Sequence, residues 1–121
     1  MTAVDPVRES ETREGPTARI VLTVPADLDY FDGHFPDAPI VPGVVQVKWA
    51  IDNARRCFAL SSAVAALEAV KFQRVIGPGA RIALTLERAA PSGKVHFCFD
   101  SEQGRHSSGR IVFSPGAAPH G

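Results

Sequence analysis

A chain of 121 residues holds one hydrophobic core and excludes a second independent domain. Hydrophobic residues at 45%, charged residues at 21% and a mean hydropathy of zero exclude a disordered, fibrous or membrane-spanning chain. Net charge is zero, but residues 1–40 carry eight acids against three bases and residues 41–121 carry five acids against ten bases, the arginines scattered without interleaved aromatics, which argues against nucleic acid and for an acidic partner on one face. No apolar run approaches the roughly 20 residues that span a bilayer, and the acidic N-terminus lacks the order of a secretory signal. A cytoplasmic location is expected. Cys57 and Cys98 form no CxxC pair, so reduced thiols are expected rather than a disulfide scaffold or a structural zinc site.

In chain order, residues 1–16 combine charge and proline with almost no large apolar side chain and read as a disordered leader. The β-branched run Ala18–Val24, ended by Pro25, predicts a strand. Asp27 to Gly43, rich in proline and glycine beside Tyr30 and Phe31, is a structured loop. After Pro42-Gly43 the stretch 44–60 has no breaker, and Val44, Val47, Ala50, Ile51, Ala54, Cys57 and Phe58 gather on an arc of roughly 140°, which predicts a core helix. Lys48, Asp52, Arg55 and Arg56 occupy the opposite arc. Val45 and Trp49 lie beside it, so a second surface covers part of the polar side, and a partner chain can supply it.

Strands follow over Leu67–Ile76, Arg81–Arg88, Lys94–Asp100 and Arg105–Phe113. In the last pair a loop Glu102-Gln103-Gly104 sets Val95, Phe97 and Phe99 opposite Ile111, Gly109 and Ser107, and places Asp100 opposite His106 on the outer face. Residues 115–121 read as a flexible tail, leaving 17–114 as a single domain. The order strand, loop, helix, antiparallel meander is α+β, with one long central helix wrapped by an antiparallel β-sheet.

The loop narrows the choice. Gly33-His34-Phe35-Pro36, Pro39 and Pro42-Gly43-Val44 resemble the GHFPxxPxxPGV signature of the hot-dog 3-hydroxyacyl-acyl-carrier-protein dehydratases, FabZ-like and especially the short ApeI-like branch. Lys71–Gly79 resembles that family's central strand and its PG turn. The likeness covers about residues 18–113.

The resemblance implies a hot-dog fold and β-elimination of water from a 3-hydroxyacyl thioester to a trans-2-enoyl thioester, in fatty-acid or aryl-polyene-type biosynthesis. His34 matches the base. A histidine near neutral pKa suits proton transfer, worth on the order of 10² to 10⁴ in rate, whereas outside such a motif a loop histidine merely braces a turn. Gly43 matches the glycine whose helix-start N–H receives the developing oxyanion, and the Ile40 carbonyl would hold the histidine ring. Val44, Val47 and Ile51, core by default, can also line an acyl slot. Phe31 and Phe35 read as loop anchors and Cys57 as a small hydrophobe. His96, His106 and His120 read as surface residues, and no metal or cofactor is expected.

One position departs from the pattern. Fourteen residues after the histidine the family carries a carboxylate facing the partner chain's histidine, and this chain has Lys48. Three readings stay open: the Lys48 ammonium donates the proton and keeps His34 neutral; Asp52 substitutes from about 6 Å further along the helix; or Lys48 and Asp52 form a surface pair in a site that binds thioesters without eliminating water. The expected protein is therefore a dehydratase acting on acyl-carrier-protein or coenzyme A thioesters. The alternatives are a non-catalytic acyl-binding subunit and a hot-dog thioesterase. A homodimer, a higher oligomer or a heteromer with a carboxylate-bearing partner is expected, with Val45 and Trp49 at the seam and Arg55, Arg56, Arg74 and Arg81 available to an acidic carrier.

Overall fold

The structure, a computed structural model, describes residues 5–26, 40–89 and 92–114. His34, Phe31, Phe35, His120 and the 115–121 tail lie outside the described residues. Six strands and one helix follow in the order β1 (Val7–Glu14), β2 (Thr17–Thr23), α1 (Gly43–Phe58), β3 (Val64–Phe72), β4 (Arg81–Arg88), β5 (Val95–Ser101) and β6 (Gly104–Phe113). The strands form one antiparallel sheet in the order β1-β2-β4-β5-β6-β3.

Period-two alternation builds the inner face. Ala18, Ile20 and Leu22 of β2 pair with Leu86, Leu84 and Ile82 of β4, and Leu84 and Leu86 pair in turn with Phe99 and Phe97 of β5. All are buried and form one cluster with Val45, Val47, Trp49, Ala50, Ala54 and Phe58 of α1. The helix fills the concave face of the sheet, the arrangement expected from the element order.

The leader expectation over 1–16 is overturned where it covers β1. Val7–Glu14 turns at Gly15, which adopts φ 59°, and runs back along β2 from Glu14↔Thr17 to Val7↔Thr23. Its residues are all exposed, so apolar burial does not order it; the main-chain ladder and side-chain bridges to the helix do. Glu11 pairs with Arg56 at 2.7 Å, and Arg13 donates to the Cys57 carbonyl with its guanidinium 5.0 Å from the Phe58 ring centroid. A composition argument cannot see such cross-chain bonds.

β1 also answers the question posed by Val45 and Trp49. Both are buried within the single chain, Trp49 to 1% exposure, and the indole shares a cavity wall with Asp5, Pro6, Arg8 and Leu22. The covering surface belongs to this chain, so these two residues are not left for a partner. Val44, placed on the core arc by periodicity, is instead 77% exposed.

The β5–β6 hairpin has the expected inner register, Val95↔Ile111, Phe97↔Gly109 and Phe99↔Ser107. A register shift then pairs Asp100 with Arg105, whose side chains bond at 2.6 Å, so the expected Asp100–His106 outer pair does not form. The shift turns both His106 and Ser107 inward, and both are buried, correcting the surface reading of His106. His96 is exposed. β3 stops at Phe72 rather than Ile76 because the His106 carbonyl accepts both the Gln73 and Arg74 amides and draws the chain out of the sheet.

Candidate functional site

Helix α1 begins without the usual protection. Pro42 is its N-cap, no side chain caps it, and no acid stands in the first turn. The Val45 and Gln46 amides reach back to the Pro42 carbonyl at 3.0 and 3.1 Å, leaving the Gly43 and Val44 N–H groups without intrahelical acceptors. The positive dipole end is therefore unneutralised at Gly43, whereas Arg55 and Arg56 offset the negative end in the last turn.

Gly43 opens onto a cavity of about 440 Å³ lined by Ile40, Val41, Gly43, Gln46 and the segment Phe72–Val75. The Phe72 ring lies over the glycine so closely that a Cβ there would stand 2.7 Å from it. Close approach, rather than an unusual φ, favours glycine here, since a side chain would have to push the half-exposed ring aside. Phe72 and Val75 are exposed, so the cavity mouth is apolar.

Of the residues singled out by sequence, Gly43 and Ile40 stand together on this cavity. Val47 is in the buried core, Ile51 packs against it, and Val44 faces outward; none of the three lines the cavity. The Lys48 ammonium bonds Asp52 at 2.7 Å, with the two side chains 54% and 50% exposed. Arg55 donates to the Ser62 carbonyl and sits 5.7 Å from the Phe113 ring centroid, while Arg56 and Arg81 pair with Glu11 and Glu9. Arg74 remains on the cavity wall.

Sequence reasoning missed Gln46, His106 and Ser107. Gln46 is buried at 4% exposure; its Nε2 donates to the Val41 carbonyl at 3.1 Å and its Oε1 accepts the Ser107 hydroxyl at 2.7 Å. A carboxamide amid valines in a helix that is covered on several sides was the available signal. Burial pushes the Cys57 and Cys98 thiols above their ordinary value, so both stay protonated at neutral pH and neither is set up as a nucleophile. Among the described residues no three His, Cys, Asp or Glu side chains are grouped to hold a metal ion, and no helix is long and apolar enough to cross a membrane.

The helix-wrapped sheet, with its open helix start beside an apolar mouth, defines the class as a hot-dog protein. The profile of the ApeI-like family, described as ApeI dehydratase, matches residues 9–110, and the chain belongs to that family. It is similar to the 3-hydroxyacyl-[acyl-carrier-protein] dehydratase FabZ of Natranaerobius thermophilus, 29% identical over 73% of this chain and 67% of that one. The FabZ of Clostridium beijerinckii is 32% identical over 72% of this chain and 66% of that one, so the chain spans about two thirds of these curated relatives. Among solved structures, the dehydratase heterocomplex ApeI:P from Xenorhabdus doucetiae contains a chain matching at TM-score 0.84 and 30% identity, covering 90% of this chain and 97% of that one. An uncharacterised protein from Erwinia carotovora subsp. atroseptica matches at TM-score 0.75 and 30% identity over 95% and 98% of the two chains.

Proposed function

We propose that the chain eliminates water from 3-hydroxyacyl thioesters carried by an acyl carrier protein, giving trans-2-enoyl thioesters. The observation that carries this reading is the uncapped helix start at Gly43, open to the cavity nine residues beyond His34. His34 removes the proton next to the thioester carbonyl, and the electron pair moves onto the carbonyl oxygen, which the Gly43 N–H stabilises. Removing one such donor typically costs about 10² to 10³ in rate. The electrons then return to form the C=C bond as the 3-hydroxyl leaves, protonated by the Lys48 ammonium of a second subunit. Arg74 at the mouth supplies positive charge for the carrier or its phosphopantetheine phosphate.

A second subunit is part of this reading. Among the described residues β3 is an unpaired sheet edge with Leu67 and Phe72 exposed, beside exposed Val44 and Val75, and this apolar border suits continuation into another hot-dog chain. A cytoplasmic assembly fits a soluble carrier substrate.

One observation favours a variant of this reading, in which a different subunit supplies the acid. The Lys48 ammonium is committed to Asp52 on an exposed helix face, and the solved relative is a heterocomplex. Purified protein incubated with a 3-hydroxyacyl thioester is expected to form the enoyl thioester, and His34→Ala is expected to abolish it. No enoyl product from either protein or from Lys48→Glu would end the dehydratase reading. Activity appearing only with Lys48→Glu would assign the acid to another chain, and free thiol without enoyl product would indicate hydrolysis.

A further inference from the structure

The bulge in β6 turns two consecutive polar residues into the interior, and each bonds a different part of the wall of the Gly43 cavity. His106 holds the segment that carries Phe72 and Arg74. Its carbonyl accepts the Gln73 and Arg74 amides at 2.9 and 3.2 Å. Its ring Nδ1 lies 3.0 Å from the Val75 carbonyl and 3.4 Å from that of Arg74, which places a proton on that nitrogen, and Nε2 is bonded to the Ser101 hydroxyl at 2.6 Å. Ser107 acts on the helix side. Its hydroxyl donates to Gln46 Oε1, so the carboxamide must present its NH₂ to the Val41 carbonyl. The Val41 amide in turn donates to the Ile76 carbonyl at 2.8 Å. Val41, the residue before the helix cap, is thus held at both ends of its backbone, by the 73–76 segment and by the side chain of the first helical turn.

We propose that Gln46 and Ser107 are positioning residues for the oxyanion donor: the buried Ser107–Gln46–Val41 relay fixes the peptide that leads into Pro42-Gly43, and so fixes where the Gly43 N–H points. The arrangement rests on the dehydratase reading for its catalytic consequence, but not for its geometry. A packing role alone needs no oriented amide at position 46, since methionine fills similar volume. What methionine lacks is the hydrogen bond to Val41, and small misplacements at a reacting centre can cost about 10² in rate.

Gln46→Met is expected to lower kcat about 10²-fold with KM nearly unchanged, and Ser107→Ala to lower it in the same direction by less. Circular dichroism would establish that both fold. Gln46→Glu separates orientation from space filling. Ionised, the carboxylate sets a second acceptor against the Val41 carbonyl; protonated, it donates to that carbonyl as the amide does. The ratio of its rate to that of the unaltered protein is therefore expected to climb as pH falls, with His106 and Arg74 common to both proteins. A flat ratio, or a kcat for Gln46→Met equal to that of the unaltered protein, would overturn the proposal. Amide hydrogen exchange decides it even if no thioester is dehydrated. Val41 is expected to exchange about tenfold faster in Gln46→Met, and unchanged protection would sink the relay while leaving the dehydratase reading to its own assay.

Discussion

The two edges of the sheet solve the problem of unpaired backbone in opposite ways. β1, Val-Arg-Glu-Ser-Glu-Thr-Arg-Glu, is charged along its length and tied to the chain's own helix through Glu11 and Arg13. Such an edge resists adding another strand. β3, Val-Ala-Ala-Leu-Glu-Ala-Val-Lys-Phe, carries few charges, and its Glu68 is turned to Lys94 and Arg110 within the sheet. It also bulges at Ala69 and Val70, where Ala69 adopts φ 52° and Gly109 opposite has no side chain to obstruct the bulge. One edge closes the molecule upon itself, and the other is left receptive.

The largest expected effect breaks the receptive edge. Leu67→Lys combined with Val75→Lys is expected to weaken self-association about 10²-fold or more, read as a shift toward monomer in sedimentation. Thr12→Val on β1 is expected to leave the assembly unchanged; the reverse result would place the seam on the wrong edge. Next, Arg13→Ala removes the bond to the Cys57 carbonyl and the contact with Phe58, and is expected to cost about 1 to 2 kcal/mol in urea unfolding. No loss would mean that the β1–β2 ladder and the Glu11–Arg56 pair hold β1 without Arg13. The smallest effect belongs to Glu68. Lys94, foremost, and Arg110 hold its carboxyl below the usual glutamate range. A lowered folded value gives stability that is fully present above the unfolded glutamate range and lost as pH falls through the folded value. Glu68→Gln is therefore expected to flatten the acid limb of a stability profile slightly and to lower the neutral and alkaline part by a small constant amount without changing its slope.

The parts of the fold legible in sequence were those written in short-range patterns. Alternating residues in β2, β4 and β5 and the unbroken apolar run of α1 locate the core, and Arg81–Arg88 coincides with its expected bounds. The hairpin register was readable as far as Phe99↔Ser107, then failed because a bulge changes pairing without a local compositional mark. β1 was illegible for a related reason: its stabilising partners, Arg56, Cys57 and Phe58, lie more than forty residues away. At the site, the motif identified Gly43 and Ile40 as neighbours, whereas Gln46 and Ser107 are joined only by a long-range contact that the bulge creates. His34 falls outside the described residues, so its part in the site rests on the motif.

The ring of Phe72 above Gly43 has an evolutionary corollary. A methyl at position 43 would meet the Phe72 ring rather than a torsional barrier, so the half-exposed ring must shift before the glycine can be replaced, and the two sites are coupled. A lineage that trimmed the aromatic to a smaller side chain would release the glycine from this contact, and one that kept the aromatic would have to turn the ring aside to admit a larger residue.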